Sequence, residues 1–538
     1  MKPRASWWPE GVLIALMVAW RAGLLAAQAF PLHGDEAVVL LMARHIVQGA
    51  RPVFFYGQAY MGSLDAYLVA AAFAVFGESV LVARGVQIGL YALLLGLTAW
   101  ALRRLWAPEP ARLALLYLAV SPLLLTIYTT VTLGGYNEAL LIGTAGLAGL
   151  GVAGPGDNTS AAGRRGLGLG LLAGLGAWVM PLSWVYLLPV GLYALRHWWA
   201  QGRATLTAGV AAAAAGLGLG LAPVWAFVAQ HGWAPLLAGS SVGMFPHFAR
   251  PWWRGIPWHA VMLVLAGWPV VAGLRAPWSW FPAAPWPLVA AVLALHGLAW
   301  FLWFRERRAI PKRVWWGVTG VVAANALLFV FTPHGGDPTG RYFTPWAHAT
   351  AVVLVGGLYA VWRARKAGLW ALLGALALVH AGVTWRVAHG PGGLSPVFVA
   401  SSRVHAAAQV RLRDFLLAHD LTTGYTNYWI AYPLAFLSHE ALRYTPRLPY
   451  HEDLRYTPRY DRIPAYTQAA ACAARVAYVT FDAQTALNQR LQAELTAAGV
   501  RWREAVVGPY RVFYDLDRPL APWDLGLTPP PQGVSCEP

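Results

Sequence analysis

Ionisable side chains are what this sequence has least of. Asp, Glu, Lys and Arg make up 12% of its 538 residues, against about 25% in soluble domains. Hydrophobic residues take 58%, which excludes a soluble enzyme wrapped in a charged shell. Lysine is nearly absent, so arginine carries the positive charge. Cysteine occurs twice, at Cys472 and Cys536. Neither belongs to a metal-spaced cluster, which excludes a zinc ribbon or a cysteine-ligated cluster. The two either pair, if their part of the chain lies outside the cell, or are unrelated thiols. No internal repeat is visible, which excludes a solenoid.

Apolar runs of about 20 residues are abundant instead, each long enough to cross ~30 Å of hydrocarbon as a helix. The 29 Trp suit chain ends lying at a membrane–water interface. A net charge of +17 raises the question of nucleic acid. The basic residues cluster in short loops at the ends of apolar runs, however, which is a membrane-orientation pattern and not a basic groove. No nucleic-acid partner is expected; the lipid bilayer is.

The charge rule then sets a topology. Lys2 and Arg4 place the N-terminus in the cytoplasm. Spans are expected at 11–31, 79–103, 111–128, 135–153, 166–180, 183–197 and 204–229. Another ends at the cluster Arg305, Arg307, Arg308, Lys312 and Arg313, and further spans follow at 314–331, 343–362 and 368–387. The first run is long and has no small-residue cleavage site after it, so it reads as a span rather than a cleaved signal. Residues 258–275 are apolar enough to cross, but crossing would put the Arg305 cluster outside. They are read as re-entrant, leaving about 11 spans. The loop 154–165 is read as cytoplasmic, so its Asn158-Thr159-Ser160 sequon is discounted. The Trp- and Phe-rich loop 233–258 is either a roof over a site or an interfacial belt.

The fold class expected is therefore mainly α. Residues 1–388 form a polytopic helical membrane domain with extracytoplasmic juxtamembrane helices, and 389–538 a small extracytoplasmic α/β domain in the cell membrane. In the latter, 402–419 reads as a helix and 475–481 as a buried strand. Residues 482–498 read as a helix capped by Asp482 and stopped by Gly499, with strands at 501–507 and 510–515.

The chemistry is concentrated in 33–77. Asp35-Glu36 opens one amphipathic segment, Gly49 and Pro52 end it, and Tyr56-Gly57-Gln58, followed by Tyr60, leads into a second. Two such helices lying on the outer leaflet would hold Asp35 just above the membrane surface. A carboxylate there can take the proton of an acceptor hydroxyl. It can equally be a helix cap and nothing more. His33, His45 and His334 could join Asp35 around a metal, though no spacing demands it.

Gly34-Asp35-Glu36 after the first span, the two juxtamembrane helices, Gly77-Glu78-Ser79 with Arg84, Tyr136-Asn137-Glu138 and Gly340-Arg341-Tyr342 occur in an order that resembles the glycosyltransferase-C superfamily. Within it, they resemble the protein O-mannosyltransferase and lipid A aminoarabinose-transferase branch. The resemblance covers roughly 10–390. It implies a polyprenyl-phosphate sugar donor, an external site and inversion at the anomeric carbon. It also implies Asp35 as base, Glu36 supporting it or orienting the acceptor, and Glu138 as a second acid facing the same cavity. Arg341 with Tyr342, and Arg84, would meet the lipid phosphate. Tyr56, Gln58 and Tyr60 would line the substrate. A divalent ion is compatible with the resemblance but not required by it, and the acceptor is left open among protein, lipid and glycan. As ordinary membrane residues, Glu138 would be an interfacial charge and both arginines would snorkel to headgroups.

Two other classes compete. A transporter or flippase would carry broken helices near the midplane, and the break near Pro181 is its best support. A non-catalytic scaffold would display the C-terminal domain, whose Asn427-Tyr428-Trp429 suits carbohydrate contact.

Overall fold

The computed structural model describes residues 6–150, 158–240, 251–399, 402–451, 453–531, 533–534 and 536. The chain opens with α1 (Trp8–Ala26), α2 (Gly34–Val47), α3 (Leu64–Phe76) and α4 (Val80–Leu105). Then come α5 (Pro108–Ala119), α6 (Leu123–Tyr128), α7 (Tyr136–Gly149) and α8 (Thr159–Val179). α9 (Trp184–Ala200), α10 (Arg203–Gly220), α11 (Ala222–His231) and α12 (Trp233–Ala238) follow. The long helices Trp286–Arg305, Lys312–Val330, Thr344–Trp362 and Lys366–Ala388 complete the bundle.

Among the described residues six single helices are long and apolar enough to cross a membrane, and α10 with α11, bent by 56° at their break, brings this to as many as seven. The other expected spans coincide with α5–α6, α7, α8 and α9. α5, α6, α7 and α9 are short, at 12, 6, 14 and 17 residues, with Ser121-Pro122 separating the first two, and α8 is diluted by glycine. The break at Pro181 is a short 3-10 turn joining α8 to α9, a connection between helices and not a broken span. Residues 256–271 form one helical stretch, α at both ends with a π segment at Leu263–Gly267. Residues 241–250 of the aromatic loop 233–258 and 154–157 of the loop 154–165 lie outside the described residues. Asn158 is described, and its side chain caps α8 by accepting from the Ala161 N–H at 2.9 Å.

α8 and α10 pack backbone to backbone. A Cβ at Gly170 would collide with the Ala213 carbonyl, and one at Gly174 with that of Leu217. Small residues at this spacing let two helices approach without hydrophobic driving force between them.

Inside the bundle a polar chain links four helices. Arg21, 1% exposed, donates to the Thr129 carbonyl at 2.6 Å and to its hydroxyl at 2.7 Å. Asn137 donates to the same carbonyl at 3.2 Å and to the Gln87 side chain at 2.7 Å. Gln87 in turn donates to Asp65 at 2.8 Å. Buried polar groups of this kind survive only when paired.

The C-terminal part folds as a five-stranded sheet in the order β2-β1-β3-β5-β4. The strands are β1 (Thr423–Tyr425), β2 (Arg443–Thr445), β3 (Ala477–Phe481), β4 (Arg503–Val507) and β5 (Tyr510–Tyr514). β2, β1 and β3 run parallel, while β5 and β4 are antiparallel to their neighbours. Helices Ala406–Ala418 and Thr485–Ala497 appear close to where the apolar spacing places them. Gly499 ends the second with φ +67°. Asp482 does not cap that helix; its Oδ1 accepts from Arg511 Nε at 2.9 Å and Nη2 at 2.7 Å, across to β5. Cys472 and Cys536 are joined as a disulfide, with Cα atoms 5.2 Å apart. The helix Tyr428–Leu437 lies on α2, burying Tyr428, Ala431, Tyr432 and Ala435 with Ala37, Val38 and Leu41.

Gly170→Leu should push α8 from α10 and cost about 1–3 kcal/mol, as overpacking does. Thermal unfolding in detergent, followed by tryptophan fluorescence, should show a lower Tm; an unchanged Tm would contradict the close contact.

Candidate active site

The loop after α1 delivers His33 to the N-cap of α2, where its Nδ1 accepts from the Glu36 N–H at 3.4 Å. Burial pushes the His33 imidazole below its usual pKa, which keeps it neutral and able to accept. His33 is thus the cap, and the carboxylate of Asp35 is released from that duty. Asp35 stands half-buried in the first turn of α2, at the positive end of the helix. Its Oδ1 accepts from the Tyr428 hydroxyl at 2.5 Å. Among the described residues its second oxygen has no hydrogen-bond partner.

Glu36 is fully buried and paired bidentately with Arg84, Nε to Oε1 at 2.8 Å and Nη2 to Oε2 at 2.7 Å. Arg84 also donates to the carbonyls of Phe30 at 3.0 Å and Pro31 at 3.4 Å. Its donors are committed to the root of α2, so neither a lipid phosphate nor a headgroup is its partner here. The pair fixes the first turn of α2, and both oxygens of the Glu36 carboxylate are taken by Arg84.

The loop between α2 and α3 folds back on itself through a bridge between Phe54 and Gly62. It is covered by the end of α12, with the Ala59 N–H donating to the Gly239 carbonyl at 2.7 Å. Tyr56 shares a hydrogen bond with His45 at 3.0 Å. Burial pushes the Tyr60 phenol up to about 12, against the opposing charges of Arg462 and Arg341. Arg462 comes from the C-terminal domain. It donates to the Gly57 carbonyl at 3.1 Å and lies 5.9 Å from the ring centres of Phe55, Tyr428 and Tyr460. With its amide turned to suit these neighbours, Gln58 accepts from Arg462 at 2.9 Å and donates to the Tyr60 hydroxyl at 2.9 Å.

Arg341 holds Asp337 at 2.6 Å and lies 5.1 Å from the Tyr342 ring centre, its side chain 40% exposed. Its Nε has no partner. Tyr60 and Tyr128 each feel the charges of both Asp35 and Arg341. Asp35, Arg341 and Tyr342 therefore lie within electrostatic reach of Tyr60, which shares its loop with Tyr56 and Gln58.

Glu138 sits elsewhere in this arrangement. It is buried in the first turn of α7 with both carboxylate oxygens unpartnered, and its acidic neighbour is Asp65. Asp65 accepts from the Thr132 hydroxyl at 2.5 Å, the Gly134 N–H at 2.8 Å and Gln87 at 2.8 Å. Burial pushes the Asp65 carboxyl up, and those hydrogen bonds oppose the rise. Among the described residues no group of three or more His, Cys, Asp or Glu side chains is placed to hold a metal ion. His45 is engaged by Tyr56 and Glu440, and His334 packs on Tyr342.

Sequence reasoning passed over Asp65, Arg462 and the role of Tyr428. A carboxylate opening an apolar helix could have flagged Asp65. Nothing local marks the other two.

A cluster of charges ties the C-terminal domain to α2. Arg44 donates to Glu78 at 2.9 Å, to Glu440 at 3.4 Å and to the Phe436 carbonyl at 2.9 Å. His45 meets Glu440 at 3.2 Å, and the Tyr466 hydroxyl donates to it at 2.6 Å. Burial alone would raise the Glu440 carboxyl. The hydrogen bonds from His45 and Tyr466, with the charges of His45 and Arg44, outweigh it and hold the group at about 2.

No family model matches the chain, and no curated protein matches it by sequence. Among solved structures it is similar to ArnT from Cupriavidus metallidurans bound to undecaprenyl phosphate. The TM-score is 0.59 and the identity 13%, over 98% of this chain and 100% of that one. Apo ArnT from the same organism matches with a TM-score of 0.43 and 14% identity, over 96% and 99%. The oligosaccharyltransferase AglB from Archaeoglobus fulgidus, in complex with an inhibitory peptide and a dolichol-phosphate, matches with 0.43 and 14%, over 81% and 64%. The first match spans both chains, so this chain shares its fold with that structure.

The Glu440 carboxyl is depressed on folding, so it contributes stability above its ordinary value of 4.5, and that contribution is lost as pH falls toward about 2. Glu440→Gln should be less stable than wild type at neutral pH and show a shallower loss of Tm across that window. Equal slopes for the two proteins would refute the linkage.

Proposed function

Starting from the glycosyltransferase-C fold shared with ArnT, we propose that this chain is a membrane glycosyltransferase. It moves a sugar from a polyprenyl-phosphate donor to an acceptor hydroxyl on the extracytoplasmic face, with inversion and with Asp35 as general base. The observation that carries this reading is a carboxylate held by one oxygen and open at the other, sharing tyrosine neighbours with a partly exposed arginine. The acceptor O–H gives its proton to the open oxygen of Asp35 as the acceptor oxygen bonds to the anomeric carbon. The bond from that carbon to phosphate breaks, and the phosphate leaves with its electron pair, still anchored by its lipid. Arg341, with Tyr342 and Tyr60 nearby, is the group suited to meet that charge. The ArnT structure was solved with undecaprenyl phosphate bound, which supports a donor of this kind.

The disulfide supports placing the C-terminal domain outside, since such bonds persist in oxidising compartments. The arginine-rich ends of helices Trp286–Arg305 and Lys366–Ala388 then face the cytoplasm.

Purified protein in detergent, given a panel of radiolabelled polyprenyl-phosphate sugars, should consume one of them. Asp35→Asn should lower that rate by about 10²–10⁴, the usual worth of a general base, with an unchanged Tm. Failure to consume or bind any donor would overturn the reading.

A further inference from the structure

Asp35 and the hydroxyl that holds it are 393 residues apart. Tyr428 is the first residue of the helix Tyr428–Leu437, and the Asn427 side chain caps that helix by accepting from the Trp429 N–H at 3.0 Å. The cap aims the tyrosine out of the C-terminal domain and onto α2. There its ring, 1% exposed, is boxed by Tyr460 at 4.8 Å, Trp429 at 5.0 Å and Tyr432 at 5.3 Å between centres.

A second observation points the same way. A Cβ at residue 34 would lie 2.7 Å from Tyr428 Cε1 and 2.9 Å from its carbonyl oxygen. Gly34 is the gap through which the tyrosine reaches its neighbour, so Gly34 and Asp35 are two halves of one docking surface for Tyr428.

We propose that Tyr428 is a positioning residue for Asp35: by donating to Oδ1 it fixes the plane of the carboxylate and presents Oδ2 to the acceptor hydroxyl. The C-terminal domain is thereby part of the catalytic site. Burial, and then the charge of Asp35, push the Tyr428 phenol well above its ordinary range, so it remains a donor throughout the working pH. The inference rests on Asp35 acting as the base.

The test is a double-mutant cycle of wild type, Tyr428→Phe, Asp35→Asn and the pair, in detergent with the donor that wild type consumes. Tyr428→Phe should lower kcat by about 10-fold to 100-fold, the worth of a hydrogen bond to a charged group, and leave the donor KM within about 2-fold. In the Asp35→Asn background the same change should cost nothing further. Gly34→Ala should reproduce the kcat loss by displacing the ring. If Tyr428→Phe keeps full kcat, or if the two losses multiply, the positioning role is overturned while Asp35 keeps its own. If Asp35→Asn is as active as wild type, the base reading fails and takes this inference with it. Should Tyr428→Phe not fold, a fluorinated tyrosine at 428 keeps the ring and alters only donor strength. It must then change kcat at constant Tm, and an unchanged kcat would overturn the proposal.

Discussion

Glu36 and Arg84 meet where no water reaches, and much of the site hangs from that meeting. Stripping a carboxylate and a guanidinium of solvent is costly, and removing one partner of such a pair typically costs about 3–5 kcal/mol. The pair is bidentate, and Arg84 spends its remaining donors on the carbonyls of Phe30 and Pro31. The end of the loop, the first turn of α2 and the start of α4 are thereby one rigid unit. Three consecutive residues then do three different things. Gly34 leaves room, Asp35 faces outward, and Glu36 faces inward to the arginine.

The second attachment is electrostatic and half wet. Arg44 and His45, near the far end of α2, bind Glu440 of the C-terminal domain. The helix bearing Asp35 is thus fastened at its start to the bundle and near its end to the C-terminal domain. Arg462 and Tyr428 enter between the two attachments.

The spanning helices were legible because long apolar runs bounded by arginine leave few alternatives in hydrocarbon. β3 to β5 were legible too, through their apolar runs and the Gly508-Pro509 turn. β1 and β2 were not, because three residues each carry no period to detect. Asp482 satisfied every local rule for a cap, yet tertiary pairing with Arg511 won. Asp35 stands out as a candidate through its neighbours in sequence, whereas Tyr428 is visible there only as part of an aromatic motif. Its real contact depends on a domain packing that no local pattern encodes. Arg84 reads from sequence as a candidate for a lipid phosphate, whereas the fold pairs it with Glu36, 48 residues away, a separation that no local pattern bridges.

The buried chain from Arg21 to Asp65 has a consequence in time. Arg21 lies 108 residues ahead of Thr129, which accepts from it. At roughly 5–20 residues per second, the ribosome makes the first helix several seconds before that acceptor exists. An arginine left unpaired in hydrocarbon costs up to about 2.5–3.5 kcal/mol at a helix centre. The pairing that buries Arg21 is completed only once α6 and the residue after it have been made, so the order of synthesis is written into the assembly of the bundle.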